Sequence, residues 1–513
     1  MSADGYDVVE APIARLAADM AAGKVTSAAL VEAYAARIRA IDWAGPELNS
    51  VIALSPRALD DARAMDAERT AGRVRGPLHG VPLLIKDNLE TSDGLPTTAG
   101  SLALKDNVTR RDAPAVARLK AAGAVVLGKT NLSEWANIRS SASVSGWSAV
   151  GGLTRNPYAL DRSAGGSSSG TGTAIAASLA AAGIGTETDG SVVCPSAFAG
   201  LVGLKPTVGL VSRTHVVPIS HSQDTPGPMT RTVADAALLL TAMAGSDPAD
   251  PATAEADARR EDYVAALTGA SLAGKRLGVL PDAPMRPALA RVFEAAMETL
   301  RGAGAEVIRI GGYEFPAELP PRENAVLMSE LKADLAAYLA ATPDAVPHRT
   351  LADLIAFNRA TPRELAIFGQ ELFERAEATA GLDDPAYLEA RAACVRLAGA
   401  EGIDRLLAEH QLDALIAPSY GPAPRVDIGS GSSGWGRTSR LPAVAGYPHL
   451  TLPMGEVLGL PVGLSFIGPA WSEARLLALG SAFEVVAQAR RAPTFAPSLE
   501  AAADFAAAAR PWR

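Results

Sequence analysis

Cysteine is nearly missing from this chain of 513 residues: there are two, Cys194 and Cys394, with no Cys-x-x-Cys spacing. That scarcity excludes a disulfide framework and a cysteine-ligated zinc site, and it fits a reducing compartment. Histidine is almost as rare, at six. No uninterrupted apolar run reaches the roughly 18 residues that a membrane span needs. The start, MSADGYDVVE, is acidic and lacks the basic-then-apolar order of an export signal. A cytoplasmic location without a membrane partner is therefore expected. Charge of one sign is nowhere concentrated: the net charge of −9 is spread along the chain, which argues against a nucleic-acid surface. What the chain does have is 48% apolar residues against 20% charged, the balance of a folded globular protein.

Length alone admits several domains at about 100–200 residues each, yet no composition break demands a second. Thr26 or Ser27 can cap a helix whose apolar positions Leu30, Val31, Tyr34, Ile38 and Ile41 follow the helical period. The pattern then alternates. Helices are predicted over Pro114–Ala122, Thr173–Ala182, Pro287–Gly302, Ile403–His410 and Glu473–Ala487. Strands are predicted over Ala124–Gly128, Arg276–Leu280, Glu306–Ile310, Asp413–Ala417 and Val462–Ile467. Such alternation gives an α/β fold, a sheet covered on both faces by helices. A single domain over 1–513 is expected, with its core over about residues 10–490. The polar stretch 246–262 reads as a surface excursion, 320–400 as a helical insertion, and 490–513 as a loose tail.

Residues 164–172 read AGGSSSGTG. Composition suggests a linker, but the chemistry around it matters more. Gly165 and Gly170 have P-loop spacing, yet Thr171 stands where the lysine is required, so a phosphate cradle is disfavoured. No G-x-S-x-G elbow surrounds Ser167, Ser168 or Ser169. His79 and His221 lie in Gly/Pro-rich turns and read more simply as structural than as bases. Lys86 ends the apolar stretch of GPLHGVPLLIKDN (76–88). Two readings stay open for it: a surface lysine paired with Asp87, or a buried amine forced toward its neutral form. In water only about one lysine in two thousand is neutral at pH 7, so burial would be what makes it a base. A second stretch, GTETDGSVVCPSA (185–197), places Ser191 in a tight Asp-Gly-Ser turn, where consecutive N–H groups can converge on a developing oxyanion.

Together these segments closely resemble the amidase signature family. The family's lysine closes a G-x-P-x-x-x-K-D segment, here Gly80 to Asp87, and its GGSS-type run lies 24 positions before the nucleophile, as Ser167 does before Ser191. GKTNLSEWAN (128–137), SGWSA (145–149), VGLKPTVGLVSR (202–213), SQDTPGPM (222–229), LADLIAFN (351–358), FGQEL (368–372) and AVAGYPHLTLPMG (443–455) are similar to the branch that removes C-terminal amides from peptides. The resemblance runs from about residue 10 to about residue 490. It implies a mixed central sheet between helical layers and a Ser–cis-Ser–Lys triad of Ser191, Ser167 and Lys86. Backbone N–H groups from Thr188, Asp189, Gly190 and Ser191 would form the oxyanion hole, with Gly166, Ser168 and Asp224 in support.

The implied activity is hydrolysis of a carboxamide to acid and ammonia through an acyl-enzyme. Expected substrates are small amides, C-terminal peptide amides or amino-acid amides, with no metal, no cofactor and no obligate protein partner. Two departures matter. Asp189 replaces a glycine common in the family, and Val193 stands where amidotransferase subunits carry arginine. The second departure weakens an amidotransferase reading. A broad aryl or alkyl amidase is the other alternative. A second Gly/Ser run, 428–436, has no helix pattern behind it and is expected to be a flexible loop, with Trp435 at a pocket edge.

Overall fold

The structure is a computed structural model; it describes residues 6–281, 285–428, 438–501 and 510–511. The expectation for the 428–436 run and Trp435 therefore lies outside the described residues, apart from Ile428.

Among the described residues, eleven strands form one mixed sheet. In spatial order they are Val51–Leu54, Val125–Thr130, Pro82–Lys86, Ala182–Glu187, Thr225–Thr230, Val202–Lys205, His449–Val457, Leu460–Ile467, Ala414–Pro418, Arg276–Val279 and Glu306–Arg309. Pro82–Lys86 runs parallel to both of its neighbours, whereas the pairs at the middle of the sheet are antiparallel. Most of these strands are buried at every residue, Leu460–Ile467 and Ala182–Glu187 among them. Both faces of the sheet are therefore covered, which is why a strand such as Leu460–Ile467 lacks the apolar-polar alternation of a half-exposed sheet. The helices Val233–Met243, Pro287–Gly302 and Glu473–Ala487 supply much of that cover. The chain thus has the α/β architecture of a mixed sheet between helical layers.

Local sequence explains the element ends. Thr26 Oγ1 accepts from the Ala29 N–H and starts the helix Ser27–Arg37. That helix closes in a π turn, Ile38–Asp42, which carries the apolar stripe onward. Pro114 and Pro287 each open a helix at a position where the missing N–H costs nothing.

One expected helix is displaced. The segment predicted over Thr173–Ala182 is helical over Ser169–Ala176, and residues Ala182–Glu187 are a strand. The helix thus begins inside the Gly/Ser run. Glycine allows this: a Cβ at Gly170 would lie 2.4 Å from the Ser50 carbonyl oxygen and 2.5 Å from the Asn131 backbone, so only glycine lets the helix approach the sheet there.

Residues 319–404 make helices and no strand, led by Leu319–Ala340, Leu351–Ala360 and Pro385–Val395. The tail expected to be loose from Arg490 is instead fastened at its start. Arg490 pairs with Glu10 at 2.8 Å and donates to the Gly200 carbonyl, and Phe495 N–H donates to the Pro157 carbonyl. A charged residue, which composition reads as solvent-loving, here satisfies buried carbonyls. Among the described residues no helix is long and apolar enough to cross a membrane.

Candidate active site

Two parallel neighbours set the site. Leu83 to Ile85 pair with Ala182 to Ile184, so Pro82–Lys86 and Ala182–Glu187 deliver their carboxyl ends to the same edge of the sheet. Ligands of open α/β sheets bind at such edges. Lys86 closes the first strand, and the Asp189-Gly190-Ser191 turn follows the second.

Lys86 is fully buried. Its Nζ lies 2.8 Å from Ser167 Oγ, 2.8 Å from Thr186 Oγ1 and 3.3 Å from the Thr186 carbonyl oxygen. Three polar partners satisfy the ammonium, with three N–H donors, and equally the neutral amine, whose lone pair can take the Ser167 hydroxyl hydrogen. Burial pushes the amine down from its ordinary 10.5 to about 7, although Asp224 and Glu187 pull the other way. The surface reading of Lys86 fails, because Asp87 points to the opposite side of the chain and pairs with buried Lys129 at 3.2 Å.

The peptide bond between Gly166 and Ser167 is cis. Ser168 and Ser169 spend their hydroxyls on backbone: Ser168 Oγ donates to the Thr186 carbonyl and accepts from its N–H, and Ser169 Oγ donates to the Gly165 carbonyl at 2.6 Å. The Ser168 N–H donates to the Ser191 carbonyl at 3.1 Å, which stitches the Gly/Ser run to the Ser191 turn.

Around that turn the sequence reading needs one correction. Gly190 was expected to offer its N–H to an oxyanion, but that N–H donates to Glu187 Oε1 at 2.8 Å. Glu187 Oε2 takes the N–H groups of Val192 and Val193 at 2.8 and 2.9 Å. A single buried carboxylate thus gathers three N–H groups flanking Ser191. Thr188, Asp189 and Ser191 are left as candidate oxyanion donors. Gly190 itself is required for another reason: φ is +82°, and a Cβ there would sit 2.2 Å from Tyr420 Oη.

Glu187 had no signal in the sequence beyond being an acid in a strand. Glu187→Gln is expected to cost about 2–3 kcal/mol, because an amide NH2 must face an N–H that has lost its acceptor. Urea unfolding followed by circular dichroism reads it, and an unchanged midpoint would mean the turn does not depend on this carboxylate.

Outside this shell, Thr188 Oγ1 donates to Asp224 Oδ1 at 2.5 Å, and Asp224 Oδ2 accepts from the Ile219 and Ser220 N–H groups. Asp224 therefore ties the 219–224 loop to the turn, and burial raises its carboxyl to about 6. Gln223 Nε2 reaches both the Thr188 carbonyl and Glu323 Oε1. Glu323 pairs with Arg440 at 2.7 Å. Asp189 accepts from Ser439 Oγ at 2.6 Å. Sequence reasoning missed Gln223, Glu323, Ser439 and Arg440, since pairs such as Gln223–Glu323, Glu323–Arg440 and Asp189–Ser439, 100 to 250 residues apart, leave no local pattern.

These groups border a cleft of about 540 Å³. Thr188, Ser191 and Cys194 form its buried part with half-buried Gly166 beside them; Asn137 and Ser140 line one side, Glu323, Asn324 and Leu327 another, and the exposed Ser141 and Arg375 mark its solvent side. Among the described residues no histidine lines it. His79 Nε2 contacts the Met65 carbonyl, and His221 pairs with Asp334.

A sequence profile of the amidase family matches residues 29–477, and the chain belongs to the amidase signature family. It is a hydrolase of that family. Within it, the chain is similar to native peptide amidase from Stenotrophomonas maltophilia, with 53% identity and a TM-score of 0.90 over 95% of this chain and 99% of that one. It is similar also to a peptide amidase in complex with the competitive inhibitor chymostatin, with 52% identity and a TM-score of 0.91 over 95% and 100%. A probable amidase of Arabidopsis thaliana is 38% identical over 507 residues, 96% of this chain and 92% of the plant protein.

Proposed function

We propose that this amidase hydrolyses C-terminal peptide amides, or amino-acid amides, to the free acid and ammonia. The observation that carries the reading is the buried Lys86 amine 2.8 Å from Ser167 Oγ beside a cleft that Ser191 lines. Neutral Lys86 takes the Ser167 proton as Ser167 takes that of Ser191, and the Ser191 oxygen attacks the carboxamide carbon. Ser167 can relay because a hydroxyl donates and accepts at once. N–H groups of Thr188, Asp189 and Ser191 stabilise the oxyanion. The proton then returns through Ser167 to the departing nitrogen, which leaves poorly unless protonated. Water repeats the path and frees the acid. Apart from the substrate and that water, the steps use side chains and backbone of this chain. The peptide part of the proposal draws on the peptide amidases it resembles, one of them held by chymostatin.

The test is ammonia release by the isolated chain from four substrates: an N-capped dipeptide amide, a free amino-acid amide, glutamine and an aryl amide. The dipeptide amide is expected to give the highest kcat/KM. Preference for the aryl amide would favour a broad amidase instead, and release only in the presence of a partner protein would favour an amidotransferase subunit.

A further inference from the structure

Among the described residues, four charged side chains line the cleft: Asp189, Glu323, Arg440 and Arg375. The first three are knitted together, since Arg440 Nε lies 2.7 Å from Glu323 and 3.9 Å from Asp189. Arg375 differs. Its only hydrogen bond among the described residues runs to a neutral amide, Asn324 Oδ1, at 2.5 Å, and no described carboxylate lies within ion-pair distance. The acids on its own helix, Glu371–Glu377, are engaged elsewhere. Glu371 accepts from Ser140 and Ser141, Glu374 pairs with Arg359 at 2.8 Å, and Glu377 with Lys332 at 3.6 Å. The helix is held against the cleft wall by the Leu372 N–H donating to the Arg139 carbonyl. Four of the five guanidinium N–H donors of Arg375 are thus free, on the solvent side of a cleft whose buried end holds Ser191.

From this we infer that Arg375 is a specificity-determining residue that binds a carboxylate on the acyl part of the substrate, upstream of the amide being cleaved. The inference rests on the peptide-amide reading. If the C-terminal amide reaches Ser191, the remainder of the peptide leaves toward solvent, past Asn324 and Arg375. A planar guanidinium with free donors is the group that takes a carboxylate in two parallel bonds. The chain's net charge of −9 otherwise repels acidic substrates, so a local cation at the mouth sets selectivity that bulk charge opposes.

Three amidated tetrapeptides that differ only in carrying Glu, Gln or Lys two residues upstream of the amidated residue provide the test, with ammonia release as readout. Native protein is expected to favour the Glu peptide over the Gln peptide by about three- to five-fold in kcat/KM, the size of an exposed ion pair. The difference should lie in KM and shrink at 1 M salt, where screening reaches about 3 Å. Arg375→Gln should bring the Glu and Gln peptides to equal kcat/KM, and Arg375→Glu should turn the preference toward the Lys peptide. Arg375 is exposed, so neither variant is expected to disturb folding. Equal rates on the three peptides, or a preference that survives Arg375→Gln, would overturn the inference and leave the peptide-amide reading standing. No ammonia from any of the three would overturn both.

Discussion

Ser191→Ala is expected to lower kcat by about ten-thousand-fold or more while the chain stays folded. The substitution removes one oxygen from a buried turn and leaves the backbone that defines it. The Ser191 carbonyl still accepts from Ser168, and Glu187 still holds the N–H groups of Gly190, Val192 and Val193. What disappears is the proposed attacking atom. Members of a single proton-and-nucleophile relay act as a unit, so losing one costs nearly as much as losing all. Initial-rate ammonia release beside a circular dichroism spectrum decides the matter. A folded variant that keeps more than about a hundredth of native activity, far above what a lost nucleophile allows, would place the nucleophile elsewhere.

Lys86→Met is expected to match that loss, and the native enzyme should show why in its pH dependence. A lysine held at about 7 is largely protonated below that value and cannot accept the Ser167 proton. The rate, followed as kcat/KM, should therefore fall roughly ten-fold per pH unit on the acid side of about 7, and level off above it. Stability carries the same signature with a definite sign. Between about 7 and 10.5 the unfolded chain keeps the Lys86 proton and the folded chain does not. Unfolding then takes up a proton, so the native chain gains stability relative to Lys86→Met as pH rises through that window, by up to about 1.4 kcal/mol per unit. Below about 7 the relative gain is absent. Parallel denaturant titrations of the two proteins at pH 7 and pH 9 measure it; parallel curves, or a rate that stays flat into acid, would remove Lys86 from the role of base.

The parts legible in the sequence are those whose cause is local. An apolar strand that ends in lysine marks Lys86, because the cost of burying an amine is carried by its immediate neighbours. Gly-Ser-Ser before a helix and Asp-Gly-Ser after a strand mark Ser167 and Ser191, because both turns need glycine beside the serine. Pro114 and Pro287 announce helix starts for an equally local reason. The helix at Ser169 begins four residues before the apolar period does, since its early positions Ser169 to Gly172 are small residues that pack by closeness and not by hydrophobic area. The use of the Gly190 N–H was hidden because its acceptor, though only three residues away, is a carboxylate whose direction depends on the strand below it. Glu323 and Arg440 are 117 residues apart, and Arg490 finds Glu10 across nearly the whole chain. Such pairs exist only once the sheet has formed.

The division of labour along the chain has a consequence for how this enzyme can change. Lys86, Ser167 and Ser191 all precede residue 192, whereas Glu323, Asn324, Leu327 and Arg375 belong to the strandless stretch 319–404. Mutations that retune which molecules enter are therefore free to accumulate in the later stretch without touching the three groups proposed to break the bond. Descendants of one ancestral gene can diverge in diet while inheriting the same chemistry, and a graft of that stretch from a cousin would be the laboratory shortcut to the same end.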